Sequence, residues 1–113
     1  MNLQEIVDRI HLNVLSGREL SRDVQLAYLS DILSDVMAKS PKTALWITNQ
    51  VHENIIALAF FKGLAGVILP EGNLPDADIL EKARQKNIPV FSSQDTAFDL
   101  AGQLYALGLR GRL

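Results

Sequence analysis

A regular alternation of strand-like and helix-like segments from residue 43 onward most constrains what this chain can fold into. Short β-prone runs are each followed by a polar loop and then by a segment whose apolar residues recur at helical spacing. Since consecutive parallel strands are joined by helical crossovers, this order predicts a mostly parallel sheet covered by helices on both faces. The predicted strands are Thr43–Ile47, Ala65–Leu69 and Val90–Phe91, and the predicted helices are Asn54–Lys62, a helix from Asp76 or Asp78 to Asn87, and Thr96–Leu107.

The first 42 residues add two strands and two helices to this scheme. We expect the two N-terminal strands to extend the sheet together at an edge. The predicted fold is therefore α/β, a three-layer αβα sandwich with a mostly parallel central sheet of about five strands, in one domain over residues 1–113. The N-terminal elements are a helix over Met1–Ile10, strands over Leu12–Leu15 and Val24–Leu29, and a helix capped by Ser30 or Asp31 that runs to Lys39.

Composition excludes several classes of function. A hydrophobic share of 48% with 21% charged residues is typical of a globular protein, and a net charge of -2 argues against a nucleic-acid partner. With no cysteine there is no disulfide, thiolate nucleophile, iron–sulfur cluster or cysteine zinc site. Met1–His11 carries charges unlike a signal peptide, and Ile55–Phe61 is far shorter than the roughly 20 residues of a membrane span. We therefore expect a soluble cytoplasmic protein.

Polar loops at the predicted carboxyl ends of the strands are the natural place for a site. Ligands of open α/β sheets bind in the crevice beyond these ends. Each loop leads into a helix N-terminus, where free amides and the helix dipole favour anions, although the same residue types also act as caps without any ligand. The candidate ligand-binding residues are Ser30, Asp31, Thr48, Asn49, Gln50, His52, Glu71, Gly72, Ser92, Ser93 and Asp95.

Catalytic and metal chemistry find little support. The repeat of Ser-Asp at a spacing of four would place Asp31 and Asp35 on one helix face, but two carboxylates alone make a poor cation cage. His52 could act as a general acid or base, which requires Asp31 or Asp95 within roughly 3 Å of its imidazole. Zinc-hydrolase, P-loop and Rossmann motifs do not occur in the sequence. We expect no catalytic residue, no metal and no cofactor.

The predicted helix Asn54–Lys62 is apolar around almost its whole circumference. Such a helix is buried on more than one side. In a chain of 113 residues, either the fold covers it internally or a second subunit does. A homodimer with twofold symmetry is the interpretation we favour.

Several segments together resemble the DRTGG domain, a small α/β domain of about this length. The resemblance is most specific in Tyr28–Ala38, which is similar to the family's Tyr-x-Ser-Asp-Leu-Leu-Ser-Asp-Val-Met run, and it covers nearly the full chain. Leu45–Thr48, Ala65–Leu69, Asn87–Ser93 and Thr96–Phe98 follow in the family's order and spacing.

The chain departs from the motif that names this family. The expected Asp-Arg pair is replaced around Asn49–Val51, and the expected Thr-Gly-Gly reads Pro70, Glu71 and Gly72. Loss of the arginine and of flexible glycine removes the groups best suited to hold a phosphate.

A regulatory role is what the resemblance implies: a homodimeric, non-catalytic domain that senses a small polar, anionic or nucleotide-like ligand. Two alternatives stay open. One is an adaptor docking on a larger redox enzyme, since stand-alone members of the family occur among genes for such enzymes. The other is a small enzyme that uses His52.

Overall fold

A computed structural model describes residues 1–112 of the chain. The strands and helices lie close to the bounds that the sequence predicts, and the αβα prediction is confirmed. The elements are α1 (Leu3–Ile10), β1 (Asn13–Ser16), β2 (Ala27–Leu29), α2 (Leu33–Lys39), β3 (Leu45–Ile47), α3 (Asn54–Lys62), β4 (Gly66–Leu69), α4 (Ala77–Gln85), β5 (Val90–Ser92) and α5 (Ala97–Ala106).

The five strands form one sheet in the order β1-β5-β4-β3-β2. Strands β2 to β5 are parallel neighbours, whereas β1 runs antiparallel to β5. The prediction that the two N-terminal strands extend the sheet together is wrong, because β1 and β2 lie at opposite edges. The segment after β1 contains no tight hairpin turn. Instead it runs beside the start of α1, where Leu20 and Arg22 accept backbone N–H groups, and so reaches the far edge of the sheet.

Two apolar cores lie on the two faces of the sheet. Alternate strand residues point to opposite faces, so Leu45 and Ile47 pack with α1 and α5, whereas Trp46 packs with α2, α3 and α4. The central strands β3, β4 and β5 are buried along their whole length. Burial on both faces explains why their sequences are continuous apolar runs.

Local signals set several of the helix ends. Asn2 caps α1 and forms a capping box with Glu5, and the Thr96 hydroxyl accepts the Asp99 N–H at the start of α5. Gly63 ends α3 in the left-handed conformation with φ of 67°. The capping prediction for α2 is wrong. Its N-cap position is Ile32, which has no side-chain cap bond.

Helix α3 is only partly covered by its own fold. Ile55, Ile56, Leu58 and Ala59 are buried against the sheet and the neighbouring helices. Phe60 and Phe61 remain 56% and 77% exposed. Of the two alternatives considered for this helix, cover by its own fold therefore applies to one side of α3 only.

No helix formed by residues 1–112 is both long and apolar enough to cross a bilayer.

Candidate functional site

Asp31 ties the loop after β2 to the loop after β3. One carboxylate oxygen accepts the Asn49 backbone N–H at 2.7 Å and the Thr48 hydroxyl at 2.9 Å. The other accepts the Asn49 side-chain amide at 3.1 Å, and the Gln50 side-chain amide donates to the Asp31 carbonyl at 3.2 Å. Partial burial acts to raise the pKa of Asp31, but the hydrogen bonds from Asn49 and Thr48 outweigh it and hold this pKa below its usual value.

Ser30 anchors the same loop to the core. Its carbonyl accepts the indole N–H of the fully buried Trp46 at 2.9 Å. Its hydroxyl accepts the Ile32 N–H at 3.2 Å, which closes a tight local turn. The loop after β2 is therefore fixed to the core by the Trp46 indole and, through Asp31, to the loop after β3.

Asn73 joins the loop after β3 to the loop after β4. Its side-chain amide donates to the Pro70 carbonyl at 2.8 Å and to the Asn49 side-chain oxygen at 3.3 Å. Its backbone N–H donates to the same Pro70 carbonyl at 3.1 Å. Asn49 is thus shared between Asp31 on one side and Asn73 on the other.

The turn at Glu71 and Gly72 joins the loop after β4 to the loop after β5. The Glu71 N–H donates to the Asp95 carbonyl at 2.9 Å, and the Gly72 N–H donates to the Ser93 carbonyl at 2.8 Å. Both residues have positive φ, 58° and 70°. A Cβ atom on Gly72 would lie 3.0 Å from the Gln94 side-chain oxygen, so glycine fits both the conformation and the close approach. Because both amides are bonded within the fold, neither is free to cradle a phosphate.

These contacts form one continuous hydrogen-bonded surface across the carboxyl ends of β2 to β5, which we call the carboxyl-edge band. The order of the loops in the band follows the order of the strands in the sheet. Asn73 belongs to it through its hydrogen bonds and Gln94 through the close approach of its side chain to Gly72, although neither is among the predicted site residues. Their position in the same polar loops is the sequence feature that could have identified them. The band comprises Ser30, Asp31, Thr48, Asn49, Gln50, Glu71, Gly72, Asn73, Ser93, Gln94 and Asp95.

Burial divides the predicted site residues into two groups. Three of them lie beneath the surface and support the loops: Thr48, Ser92 and Ser93. Ser92 is the last residue of β5 and pairs with neighbouring strands. The Ser93 hydroxyl accepts the Asp95 N–H at 3.0 Å, and the Asp95 carboxylate accepts the Gln103 amide at 3.0 Å. The predicted residues with exposed side chains are Asp31, Asn49, Gln50, His52 and Glu71, and the neighbouring Gln94 is exposed as well.

His52 lies at the start of α3, and its side-chain hydrogen bond is made outside the band. Its Nδ1 atom accepts the Asn54 backbone N–H at 3.2 Å, which is the geometry of a local turn. Within residues 1–112, the carboxylates of Asp31 and Asp95 bond to Asn49, Thr48 and Gln103 rather than to this imidazole. The contact that a His52 enzyme requires is therefore not formed.

The two aspartates of the Ser-Asp repeat have separate partners. Asp31 precedes α2 and bonds to the loop after β3, whereas Asp35 lies inside α2 and accepts the Tyr28 hydroxyl at 2.8 Å. The expectation that both carboxylates share a helix face is wrong. Within residues 1–112, no group of three His, Asp or Glu side chains is placed to hold a metal ion.

The four loops at this edge contain no lysine or arginine. Their ranges are residues 30–32, 48–53, 70–76 and 93–96. Five carboxylates occur in them, those of Asp31, Glu53, Glu71, Asp76 and Asp95. Lys82 of α4 forms an ion pair with Glu53, which neutralises one of the five. The edge therefore has a negative electrostatic character that disfavours a polyphosphate.

An exposed apolar side chain lies in or beside each loop. None of these residues is among the predicted site residues, and those within the loops carry no periodicity that would mark them. Together with the polar band they give the edge both hydrogen-bonding groups and apolar contact surface. They are Ile32, Val51, Leu74 and, in the first turn of α5, Phe98, which is 85% exposed.

Solved structures share this architecture. A crystal structure of the CBS and DRTGG domains of the regulatory region of Clostridium perfringens pyrophosphatase, complexed with the activator diadenosine tetraphosphate, matches with a TM-score of 0.72 and 16% sequence identity. The match covers 90% of this chain and 45% of that one, so the chain spans less than half the length of its structural neighbour. The fold is DRTGG-like. This agrees with the sequence resemblance, and at such low identity the likeness is one of fold.

No protein-family model matches the chain, and no curated protein matches it. For this DRTGG-like domain, the roles of individual residues therefore rest on its own geometry.

Proposed function

We propose that this chain is a cytoplasmic, non-catalytic regulatory domain that binds a small polar ligand at the carboxyl-edge band and works as a homodimer. The observation that carries the ligand-binding proposal is the band itself. It orders four loops at the edge where α/β sheets bind ligands and leaves the Asn49, Gln50 and Gln94 side chains exposed. Asn49 and Gln50 use part of the hydrogen-bonding capacity of their amides on Asp31 and Asn73, and the remaining donor and acceptor positions face a ligand. Side-chain amides both donate and accept hydrogen bonds, as recognition of a polar heterocycle requires.

The nature of the edge favours a nucleotide-like ligand with little negative charge. The structurally similar pyrophosphatase region was crystallised with diadenosine tetraphosphate, which supports a ligand that contains a nucleoside. In this chain the four loops lack lysine and arginine, and the amides of Glu71 and Gly72 are already bonded. The exposed Val51, Leu74 and Phe98 offer contact surface to an apolar ring face. We therefore propose that the domain binds a nucleoside more tightly than an anionic nucleotide.

Thermal unfolding in the presence of chosen compounds tests this proposal. The probes are adenosine, AMP, ATP, diadenosine tetraphosphate and acetyl phosphate. A ligand at 100 times its dissociation constant stabilises the folded state by about 2.7 kcal/mol, which raises the Tm of a domain of this size by several degrees. If none of these compounds raises the Tm, the ligand-sensing proposal fails for this class of ligand.

The homodimer is supported by the exposed rings of Phe60 and Phe61 on α3. Large aromatic side chains left in water on one helix are typical of an interaction surface. Sedimentation equilibrium at increasing concentration measures the oligomeric state. A species of monomer mass at tens of micromolar would exclude the dimer and leave the ligand-binding proposal intact.

An adaptor that docks on a larger protein is the second candidate. The exposed Ile32, Leu74 and Phe98 around the carboxyl edge favour it, because a protein partner would cover all of them at once. Affinity purification from the native host compares the wild-type chain with the Phe98→Ser variant. A partner retained by the first and lost by the second would favour the adaptor over the sensor.

A further inference from the structure

Helix α3 forms a ridge with a low point at its centre and two bulky side chains at its end. Asn54, Ala57 and Phe61 lie along its exposed stripe, at spacings of three and four residues. Ala57 has only a methyl group, whereas Phe61 projects into solvent. Between this ridge and α2 lies an open hollow of about 550 Å³, lined by Leu33, Ser34, Met37, Asn54, Ala57, Leu58 and Phe61.

We propose that the homodimer forms by antiparallel packing of α3 against α3 of a second copy, crossing at Ala57, so that Phe61 of each copy enters the α2–α3 hollow of the other. This inference rests on the proposed homodimer and names its surface. A small residue at the crossing point lets the two helix backbones approach closely. An isologous interface also requires one patch that carries both the projection and the hollow, as this one does.

Charges at the helix ends favour the antiparallel arrangement. Glu53 precedes the first turn of α3 and is paired with Lys82 of its own copy, and Lys62 ends the helix roughly 13 Å away along its axis. Antiparallel crossing at Ala57 brings Lys62 of one copy near the Glu53–Lys82 pair of the other, and the two helix dipoles oppose each other favourably. A parallel arrangement would place Lys62 beside Lys62 and align the two dipoles.

The competing apolar surface, at the carboxyl edge, is poorly suited to a twofold contact. Ile32, Leu74 and Phe98 are exposed there, but they surround the carboxylates of the four loops. A twofold axis through this edge would oppose Glu71 and Asp95 to their own copies without a lysine or arginine in the loops to compensate. Like charges therefore disfavour that edge as the dimer surface.

The area available on α3 reaches what a small specific dimer needs. A biological interface buries about 1,000 Å² in total, or roughly 500 Å² per copy. Phe61 supplies on the order of 150 Å² and Phe60, whose ring lies 4.6 Å from the Lys86 ammonium, about 100 Å², given the size of an aromatic side chain and their exposure. Met37, which is 40% exposed, and the other side chains that line the hollow supply the rest.

Cysteine cross-linking tests this surface directly, because the chain contains no cysteine of its own. In the Ala57→Cys variant, the two engineered thiols lie at the crossing point and form an intersubunit disulfide under mild oxidation. The matched variant is Leu74→Cys, at a residue that is 61% exposed on the carboxyl edge. We expect Ala57→Cys to cross-link far faster than Leu74→Cys on a non-reducing gel.

A second pair of variants measures the energetics by sedimentation. Phe61→Ser is expected to raise the dimer dissociation constant at least about 100-fold, since a central aromatic anchor is lost twice in a symmetric interface. Phe98→Ser, at an equally exposed ring, is expected to leave it within about threefold. Both positions are exposed, so folding is preserved in each variant.

The cross-linking and sedimentation results together either support or overturn the proposed dimer surface. A dimeric wild type that cross-links at Ala57 and is dissociated by Phe61→Ser supports the inference. A dimeric wild type that cross-links at Leu74 instead, or equally at both positions, overturns the surface but keeps the homodimer. A monomeric wild type overturns both, and leaves ligand binding to be judged by the thermal-unfolding measurements.

Discussion

The Asp31 carboxylate accepts the backbone N–H of Asn49 at 2.7 Å, across the gap between the loops that follow two neighbouring strands. This bond begins the chain of contacts that continues through Asn73 to the loop after β5. Because the contacts are made by side chains and backbone of the loops themselves, the edge is ordered before any ligand arrives. Such pre-organisation reduces the entropy lost on binding.

Replacement of Asp31 by asparagine is expected to lower stability at neutral pH by about 1 kcal/mol, a value reduced for the exposure of this group. The pKa of Asp31 is lowered in the folded state. Its stabilising contribution is therefore present above the unfolded pKa of about 3.9 and is lost as the pH falls through the folded value. Urea unfolding of both proteins from pH 7 to pH 2 measures the difference.

The matched control is Asp99→Asn, at an exposed position in the first turn of α5. We expect it to change stability by less than about 0.5 kcal/mol over the same pH range. A constant difference between wild type and Asp31→Asn down to pH 2 would show that the carboxylate charge of Asp31 does not stabilise the loops.

Replacing glycine with alanine is expected to change the stability in opposite directions at Gly66 and at Gly102. At Gly66 in β4 a Cβ atom would lie 3.0 Å from the Pro89 carbonyl oxygen and 3.1 Å from the Phe91 ring, so Gly66→Ala should destabilise by about 1–3 kcal/mol. At Gly102, inside α5, nothing lies within 4 Å, and Gly102→Ala should stabilise by about 0.5–1 kcal/mol. Thermal unfolding of both variants measures this. Similar effects of equal sign would contradict the packing between β4 and β5.

An added arginine is expected to shift the ligand preference of the carboxyl edge. Gln50 is exposed, and the loops around it carry no lysine or arginine. Gln50→Arg should increase the affinity for AMP about tenfold or more and leave that for adenosine nearly unchanged, because the new group pairs with the phosphate. Calorimetric titration measures both affinities. Gln85→Arg, at the end of α4, is the control for net charge, and an equal gain in that variant would place the phosphate elsewhere.

Much of the fold follows from the sequence because its causes are local. Short apolar runs and helical spacing gave correct strands and helices, and the parallel topology brings the loops after β2 to β5 to one edge. The placement of β1 and β2 at opposite edges was not predictable, since it depends on pairing between distant segments. For the same reason, the sequence predicts Ser30 or Asp31 as the cap of α2, whereas in the folded chain Asp31 accepts hydrogen bonds from Asn49 and Thr48 instead.

The composition of the site could be predicted only in part. Loop positions identified the polar residues, but not which of them are buried. Thr48 and Ser93 support the loops from beneath, whereas Asn73 and Gln94 complete the band. The exposed ring of Phe98 was also missed, because an aromatic residue in a first helical turn is usually read as part of the core.

Amide chemical shifts recorded during titration with adenosine, and then with AMP, test the central claim most directly. Binding at the carboxyl-edge band predicts that perturbed amides fall within residues 30–32, 48–53, 70–76 and 93–96, with the larger changes for adenosine at equal concentration. Asn49→Ala removes the bonds of this side chain to Asp31 and Asn73 and should abolish these changes, while amides outside the four loops keep their chemical shifts. Unperturbed spectra at millimolar concentrations of both compounds, or perturbations confined to α3, would contradict the account.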